Sequence, residues 1–393
     1  MEYSDERSVR MKKRADLLDR GMDPYPDAVN RTHTCRDVQD NFDVLEQDGQ
    51  KVVVAGRIRS IRRHGGSAFI VVQDGTSNIQ LFCRRDVLGE LYAIVTDFLD
   101  MGDFVESSGT LMRTKTGEKT IAIDGLRILS KALRPLPEQW HGLTDIERRY
   151  RHRELDLLVN PDVKERFIIR SRILSGLRRY LDECGFIEAE TPILQTIPGG
   201  ANARPFVTHH NALDADLYLR IATEIHLKRL IIGGFEKVYE IGRLFRNEGI
   251  DHAHNPEFTS IELYWAYTPN RDMFIHFLEE MVRAVMTHAI GALSVKGDGI
   301  VYDFSGPWKQ MTFREAIMKH AGIDIDLFKN EEDIVAQVKK QGLHISFDTC
   351  VGLGEHYDQL YKKTARPALL EPTWIFDYPL ELKPLAKKSP DDP

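Results

Sequence analysis

The stretch KVYEIGRLFRNEGIDHAHNPEFTSIELYWAY, residues 237–267, decides the fold of the second half of the chain. Two runs of strand-forming residues flank a polar loop, and successive side chains of a strand point to opposite faces. In the second run one face carries apolar side chains and predicts a core, whereas the other carries polar and aromatic side chains and predicts a site. An antiparallel hairpin would bring together six residues of the two runs and the loop: Arg246, Glu248, His254, Phe258, Glu262 and Tyr264.

The residue types on the second face suit a nucleotide and a cation. Arg246 carries a planar, permanently charged group that matches phosphate oxygens. Phe258 is placed to stack on a base, a contact worth roughly 1–3 kcal/mol. Glu262 and Tyr264, together with Glu224, make an anionic pocket, which favours a cationic substrate. The alternative is a solvated hairpin whose charges pair with one another.

Residues 51–134 carry five short strand-like runs separated by turn signals such as HGG, DGTSN and KTGE. This spacing is typical of an OB barrel, which binds single-stranded nucleic acid through basic groups and stacked aromatic rings. The candidate nucleic-acid contacts are Arg57, Arg62, Phe69, Gln80 and Phe82. For each aromatic ring the alternative is ordinary packing in the core of the barrel.

The sequence predicts four parts and an α+β fold class. These parts are an N-terminal helical segment (1–50), the barrel (51–134), a linker (135–157) and a larger domain (158–393). Pro135 and Pro137 mark the linker, because proline fixes φ and favours extended neighbours.

Within the larger domain, local signals predict several elements. A helix that ends at Gly185 leads into a strand over 186–194. Thr223 is predicted to cap a helix over 224–232. Residues 307–365 alternate helical and loop signals and indicate a peripheral helical segment.

The bulk properties indicate a cytosolic protein. The 393 residues carry a formal net charge of −7, which argues against nonspecific coating of nucleic acid but allows a local basic patch. No apolar run approaches the roughly 18 residues needed to span a bilayer. The start, MEYSDERSVRMKKR, lacks the apolar centre of a signal peptide. The four cysteines are scattered without a CxxC pair, so neither a disulfide framework nor a zinc ribbon is indicated.

Several segments resemble one family. FRNEG, HNPEFT and ELYWAY are similar to the second signature motif of class II aminoacyl-tRNA synthetases, and in detail to the bacterial and eukaryotic type of lysyl-tRNA synthetase. GFIEAETPILQTIPGGANARPF, at 185–206, resembles the first motif and its following loop. The resemblance covers essentially the whole chain. It implies an OB anticodon-binding domain followed by an antiparallel β-sheet domain flanked by helices.

The resemblance implies a role for each candidate residue. The implied lysine-binding residues are Gly200, Glu224, Glu262 and Tyr264. The implied ATP-binding residues are Arg246, Glu248, His254, Asn255 and Phe258, of which Arg246 and Glu248 are also the catalytic candidates. The barrel candidates, Arg57, Arg62, Phe69, Gln80 and Phe82, are implied to contact the anticodon of lysine tRNA. Mg²⁺ is expected to accompany ATP, and the segments around the first motif imply a homodimer.

The resemblance also implies a missing segment. The family continues past YPLELKPLAK into a third motif, whose arginine and metal-binding carboxylates have no counterpart before the chain ends in SPDDP. We therefore expect an incomplete catalytic domain whose metal ligands lie in the missing part. The predicted activity is that of a lysine–tRNA ligase. One alternative is a catalytically impaired, truncated paralogue or fragment that binds tRNA. Another is a lysyl transferase acting on protein, which the N-terminal barrel disfavours.

Overall fold

The structure is a computed structural model that describes residues 2–136, 143–251, 254–383 and 386–389, with residues 2–4 by their backbone alone. The chain divides into two compact units, Met1–Lys164 and Glu165–Pro393. Pro137, one of the two prolines predicted to mark the linker, lies outside the described residues, as does the chain end at 390–393.

A closed five-stranded barrel forms the centre of the first unit. Its strands follow one another around the barrel in the order β1-β2-β3-β5-β4, and the predicted OB barrel is confirmed. The strands are β1 (Val52–His64), β2 (Ser67–Gln73), β3 (Asn78–Arg84), β4 (Phe104–Arg113) and β5 (Lys119–Ser130). The connection from β3 to β4 contains a short helix (Arg85–Leu88), a 3₁₀ turn (Gly89–Leu91) and a π turn (Ile94–Phe98).

Alternating side chains fill the interior of the barrel. In β2, Ala68, Ile70 and Val72 are fully buried, while their neighbours face outwards. One glycine lets two strands approach closely: a Cβ on Gly109 of β4 would lie 2.2 Å from the carbonyl oxygen of Ala122 in β5. The period of two in the sequence therefore determines which residues enclose the core and which are available outside it.

Helices flank the barrel within the first unit. Three precede it, at Glu2–Asp19, Cys35–Asp40 and Phe42–Gln47, and two follow, at Ile146–Arg151 and Arg153–Val159. The first helix is attached to the barrel through Arg10, which is buried and donates to the carbonyl oxygen of Met101 at 3.0 Å. Beside it, the fully buried ammonium of Lys131 lies 2.7 Å from the carboxylate of Asp103, whose side chain is also fully buried.

The described residues of the second unit form four small sheets and several helices. The central sheet, β11-β10-β6, combines the antiparallel hairpin of β10 (Lys237–Phe245) and β11 (Glu257–Trp265) with the short strand β6 (Ile187–Glu188). The other strands are β7 (Leu194–Gln195), β8 (Val207–His210), β9 (Ala215–Leu219), β12 (Ser294–Gly297), β13 (Ile300–Asp303), β14 (Lys309–Thr312) and β15 (Thr373–Phe376). The helices are Pro161–Glu183, which begins before the unit boundary, Glu224–Ile232, Arg271–Ile290, Phe313–Ala321, Glu331–Lys340 and Gly352–Lys363.

The predicted strand over 186–194 is interrupted. Its first part is β6, which pairs in parallel with β10, and its last part is β7, which belongs to a different sheet with β8 and β9. In between, the backbone N–H of Thr191 is directed at the carboxylate of Glu240 at 3.3 Å instead of a strand neighbour. Pro192 has no N–H to offer, so the chain leaves one sheet and enters the next at this point.

Two further predictions concern helix ends and membrane spans. The helix Pro161–Glu183 is followed by Gly185 with a φ of 78°, as the predicted glycine stop requires. Within the described part of the chain, no helix has the length and apolar character needed to cross a membrane.

Candidate functional site

The register of the hairpin separates a core face from a polar face. Glu262 lies opposite Glu240, and Phe258 lies opposite Leu244, so Phe258, Glu262 and Tyr264 share one face of β11. On the other face, Ile261, Leu263 and Trp265 pack against a core that includes Leu181, Phe186 and Tyr239. The predicted division into a core face and a polar face is confirmed.

Three anionic or acidic side chains gather beside the helix Glu224–Ile232. The backbone N–H of Thr223 donates to the Glu262 carboxylate at 3.1 Å, which joins the start of this helix to β11. Burial, together with the charges of Glu224 and Glu262, raises the pKa of Tyr264 to about 12. Both carboxylates therefore lie close enough to the phenol to disfavour its ionisation. We call Glu224, Glu262 and Tyr264 the carboxylate pocket.

Gly200 packs against the start of the helix Glu224–Ile232, beside Glu224. Its φ is 88°, and a Cβ at this position would lie 3.0 Å from the Cβ of Ala222 and 3.1 Å from the Cβ of Glu224. Glycine is thus required both by the backbone conformation and by the close approach to the start of the helix. The structure places Gly200 next to Glu224, and no pattern of polar and apolar residues in the sequence links the two.

Lys228 is a neighbour of the pocket that the sequence analysis missed. Its ammonium pairs with the Glu224 carboxylate one helical turn away. The signal was present, because glutamate followed four residues later by lysine is a common helix pair. The lysine side chain is 55% exposed, so it can swing into solvent and leave Glu224 to another cation.

Arg246 and Phe258 form the second part of the site. The strand β10 ends at Phe245, and the backbone N–H of Arg246 donates to the carbonyl oxygen of Pro256 at 2.8 Å. The guanidinium carbon lies 5.1 Å from the centre of the Phe258 ring. Among the described residues, the buried Nε of Arg246 has no hydrogen-bond partner. The arginine is thus held over a ring, and its side chain is partly exposed, so its charge is available to an anion bound beside the ring.

Three other candidates lie in the loop between the strands rather than in the pocket. Glu248, His254 and Asn255 are all exposed there. The His254 ring nitrogen Nδ1 lies 2.8 Å from the carboxylate of Asp251. The hairpin therefore brings Phe258, Glu262 and Tyr264 to one face and adds Arg246, whereas Glu248 and His254 remain in the loop.

A buried ion pair beneath the hairpin also escaped the sequence analysis. Arg220 and Glu240 have side chains that are each 4% exposed, and they contact each other directly. Arg220 also donates to the carbonyl oxygen of Thr191 at 3.0 Å and to that of Arg243 at 2.9 Å. The pair therefore joins the end of β9, the β6–β7 connection and β10. An arginine within the apolar run YLRIA was the available signal.

The predicted capping role of the Thr223 side chain is wrong. Thr223 occupies the N-cap position, but its side chain makes no cap hydrogen bond and its φ and ψ, −99° and −8°, are helical. Its hydroxyl is buried without a partner among the described residues. The physical reason is that the Thr223 backbone is held by Glu262, which prevents the extended conformation a capping threonine adopts.

Four of the five barrel candidates share one outer face. Phe69 lies opposite both Arg62 and Phe82, and the two rings stack with centres 4.7 Å apart. Arg62 donates to the side-chain oxygen of Gln80 at 3.0 Å. Arg57 lies apart, five residues and roughly 16 Å along β1. Its guanidinium carbon lies 4.3 Å from the centre of the Phe104 ring, and burial together with the charge of Arg59 lowers its pKa.

Comparison with known families assigns both units. Residues 52–129 match the family of OB-fold nucleic-acid-binding domains described as the tRNA anticodon type. Residues 145–393 match the family described as class II tRNA synthetases for D, K and N. The chain is 47% identical over 385 residues to the lysine–tRNA ligase of Pelotomaculum thermopropionicum, covering 98% of this chain and 76% of that protein.

The chain belongs to the lysyl-tRNA synthetases of class II. Two more relatives are also lysine–tRNA ligases. The lysine–tRNA ligase of Moorella thermoacetica is 46% identical, with 98% of this chain and 78% of that protein covered. That of Roseiflexus castenholzii is also 46% identical, with 100% and 80% covered. The family consists of enzymes, as the sequence analysis predicted.

The residues of this synthetase that the structure describes do not fit a dedicated Mg²⁺ site. Magnesium prefers near-octahedral oxygen ligands, usually carboxylates together with substrate phosphates. No group of three or more His, Cys, Asp and Glu side chains that could hold a metal ion occurs in the described ranges. We therefore assign no step of the reaction to a protein-bound metal.

Proposed function

We propose that this chain is a lysine–tRNA ligase, which activates L-lysine with ATP and transfers it to the 3′ end of lysine tRNA. The observation that carries the proposal is the carboxylate pocket beside Arg246 and Phe258. Two carboxylates near one phenol attract a cationic amino acid, and a partly exposed arginine attracts phosphate. The names of the relatives support the same reaction.

In this proposal the carboxylate pocket binds the amino groups of lysine. Glu224 and Glu262 accept hydrogen bonds from the ammonium groups, and Tyr264 contributes its hydroxyl. The raised pKa of Tyr264 supports this role, because the charges of Glu224 and Glu262 contribute to it and both carboxylates therefore lie near the phenol. Gly200 allows the backbone to approach closely beside Glu224.

ATP binds through the hairpin and its loop. Phe258 stacks on adenine, Arg246 contacts the α-phosphate and the lysine carboxylate, and Glu248, His254 and Asn255 supply polar contacts from the loop. The Arg246 guanidinium lies over the Phe258 ring, which supports a joint site for phosphate and base. Arg246 and Glu248 are the proposed catalytic residues. ATP is expected as its Mg²⁺ complex, so Mg²⁺ belongs in every assay.

The reaction proceeds in two displacements without a protein nucleophile. A carboxylate oxygen of lysine attacks the α-phosphorus, the bond to the β-phosphate bridging oxygen breaks, and pyrophosphate leaves. A ribose hydroxyl of the terminal adenosine of tRNA then attacks the lysyl carbonyl carbon, and AMP leaves. The protein contributes by orienting the reactants and by placing the Arg246 charge where negative charge accumulates on the phosphoryl oxygens.

The outer face of the barrel binds the anticodon of lysine tRNA. The stacked pair of Phe69 and Phe82 offers an aromatic platform, and Arg62 and Gln80 offer polar groups beside it. Arg57 contributes from its separate position on β1. The substrates ATP and tRNA are those of protein synthesis, which agrees with the proposed location in the cytoplasm.

We also propose that the chain forms a homodimer. Exposed apolar side chains are concentrated after the helix Pro161–Glu183, at Ile187, Ile193, Leu194 and Ile197. A groove of about 370 Å³ beside them is lined by Pro192, Leu230 and Phe235 among others. A second copy of the chain would cover these side chains. Light scattering of the purified chain tests this directly.

Lysine-dependent exchange of pyrophosphate into ATP, measured with Mg²⁺, tests the proposed function. We expect exchange with lysine and a loss on the order of 10²–10³ in Arg246→Ala, typical for removing a preorganised charge contact. Arg243→Ala is the matched control, because Arg243 is an exposed arginine in the same strand. Exchange that survives in Arg246→Ala contradicts the assigned role. A folded chain that binds lysine tRNA without any exchange would favour a tRNA-binding paralogue.

A further inference from the structure

A chain of hydrogen bonds crosses the outer face of the barrel beside the aromatic platform. Gln80 lies on this face, yet it is only 7% exposed. Its side-chain oxygen accepts from Arg62 at 3.0 Å, and its side-chain nitrogen donates to the hydroxyl of Thr120 at 2.9 Å. Thr120, which is fully buried, donates its own proton to the carbonyl oxygen of Glu118 at 3.1 Å.

The neighbours of Gln80 dictate which way its amide points. An arginine side chain has donors only, so the atom of Gln80 that faces Arg62 must be the oxygen. Thr120 uses its proton on Glu118, so its oxygen acts as an acceptor and must face the amide nitrogen. Arg62 and Thr120 therefore specify the same orientation from opposite sides. The Gln80 oxygen keeps one lone pair, and the nitrogen keeps one N–H, for a further partner.

A nucleobase stacked beside the platform would meet this oriented amide. Uracil presents a ring N–H between two carbonyl groups, which matches an amide oxygen next to an amide N–H. Cytosine presents a ring nitrogen acceptor next to an amino group, which in the same position needs the opposite amide orientation. Proteins read single-stranded RNA through such base edges after stacking. Lysine codons begin with two adenines, so lysine tRNA offers two uracils in its anticodon.

We propose that Thr120 is a positioning residue that fixes the amide of Gln80 for reading a uracil of the anticodon. This inference rests on the proposed anticodon-binding function of the barrel face. Thr120 acts only through Gln80, because its hydroxyl is fully buried and engaged with Glu118 and Gln80. Loss of the hydroxyl leaves a buried amide N–H without its partner, and Arg62 alone then holds the amide from one side.

Binding of tRNA transcripts to the full chain provides the test. The probes are an unmodified lysine tRNA transcript and two variants in which one or the other anticodon uracil is replaced by cytosine. We expect Thr120→Val to raise the Kd for the lysine transcript about tenfold. We also expect it to lower the preference over the cytosine transcript about tenfold at one of the two positions. Thr120→Ser, which keeps the hydroxyl, is expected to behave like the wild type in both measurements.

A second buried hydroxyl supplies the control for a purely structural effect. Ser107 is 1% exposed, lies in β4 of the same barrel, and has no hydrogen-bond partner within the described part of the chain. Ser107→Ala is expected to leave both the Kd and the preference for uracil unchanged. If Thr120→Val does not fold, Thr120→Ala removes the same hydroxyl and replaces it in the test.

Gln80→Ala separates failure of this inference from failure of the proposed function. If Gln80→Ala binds all three transcripts as the wild type does, Gln80 does not read the anticodon, and both its proposed role and that of Thr120 are overturned. If Gln80→Ala loses the preference for uracil while a folded Thr120→Val keeps it, only the role of Thr120 is overturned. A Thr120→Ser chain that behaves like Thr120→Val would overturn that role as well, because the hydroxyl would then not be the group that matters.

Discussion

The barrel face and the region of the carboxylate pocket with Arg246 and Phe258 both combine aromatic rings with arginine, but the polar groups differ in whether they have partners. On the barrel face, Arg62, Gln80 and Thr120 satisfy one another in a continuous chain of hydrogen bonds. Beside the carboxylate pocket, the hydroxyl of Thr223 and the Nε of Arg246 are buried without partners among the described residues. Gln80 on the barrel face is thus held from both sides, whereas the region beside the carboxylate pocket contains buried polar groups without partners in the described part of the chain.

This difference has an energetic consequence. A buried polar group without a partner costs about 1–3 kcal/mol. The two unpartnered groups beside the carboxylate pocket therefore lower the stability of the protein. The barrel has no such deficit at Gln80, so its polar groups contribute to folding as well as to recognition.

The largest loss of stability that we expect comes from breaking a buried ion pair in the first unit. Lys131→Met removes the ammonium that faces Asp103, whose carboxylate is fully buried. A buried charge without its partner destabilises a protein by about 3–5 kcal/mol. Urea denaturation measures this loss. Lys51→Met is the control, because Lys51 forms an exposed pair with Asp124 and such pairs contribute about 0–1 kcal/mol. Equal losses in both variants would contradict the view that the barrel unit depends on its buried polar groups.

The next effect concerns the carboxylate pocket and is expected in substrate binding rather than in stability. Glu262→Gln removes a charge but keeps an oxygen that accepts from the N–H of Thr223. A hydrogen bond to a charged group contributes about 1.5–3 kcal/mol, so we expect the KM for lysine to rise roughly 10- to 100-fold. Lysine-dependent pyrophosphate exchange at several lysine concentrations measures this KM.

Glu257→Gln is the matched control for this variant, since Glu257 is exposed on the same strand. Thermal unfolding of both variants should show no loss of stability. A Glu262→Gln protein with a normal KM for lysine and a lower melting temperature would reverse the comparison, because Glu262 would then be a structural residue.

The alternation of apolar and polar residues along the sequence predicted the strands of the barrel and of the hairpin. The five barrel strands and the hairpin at 237–267 follow from alternation within each strand, which is a local property. The strand over 186–194 was predicted too long, because Thr191 directs its N–H at Glu240, which is 49 residues away. Thr223 was assigned a capping side chain for a similar reason, since Glu262 competes for its backbone from 39 residues away. Side-chain partners at such distances leave no trace in a local pattern.

The same limit applies to the site. The residue types and the shared face of Phe258, Glu262 and Tyr264 could be predicted from the hairpin alone. The approach of Gly200 to Glu224 and the ion pair of Arg220 with Glu240 depend on how separate segments pack, and only the structure reveals them. The family resemblance supplied the candidate residues, but not the hydrogen bonds that hold them.

A smaller effect is expected when the aromatic platform of the barrel is broken. Phe69→Ala removes one of the two stacked rings, and a base stacked on a ring contributes about 1–3 kcal/mol. We expect the Kd for lysine tRNA to rise at least about fivefold, with lysine-dependent pyrophosphate exchange unchanged. Tyr150→Ala is the control, because that exposed ring lies in the helix Ile146–Arg151, outside the barrel strands. Exchange that falls together with tRNA binding would mean that the two sites are not separable.

The smallest effect reports directly on the charges in the carboxylate pocket. Burial and the two glutamates raise the pKa of Tyr264 from its ordinary value near 10 to about 12. The unfolded chain then loses the phenol proton at a lower pH than the folded chain does. The contribution of this tyrosine to the unfolding free energy is therefore fully present below pH 10 and is lost as the pH rises towards 12.

Absorbance of the phenolate measures this titration. The difference between the wild type and Tyr264→Phe isolates one tyrosine, and the same subtraction with Tyr267→Phe provides an exposed reference at the end of the strand. In a Glu262→Gln background we expect the midpoint for Tyr264 to move down towards 10, because one of the two nearby negative charges is gone. A midpoint that does not move would show that Glu262 does not act electrostatically on Tyr264. The carboxylate pocket would then lack the like-charge repulsion that distinguishes it from the barrel face.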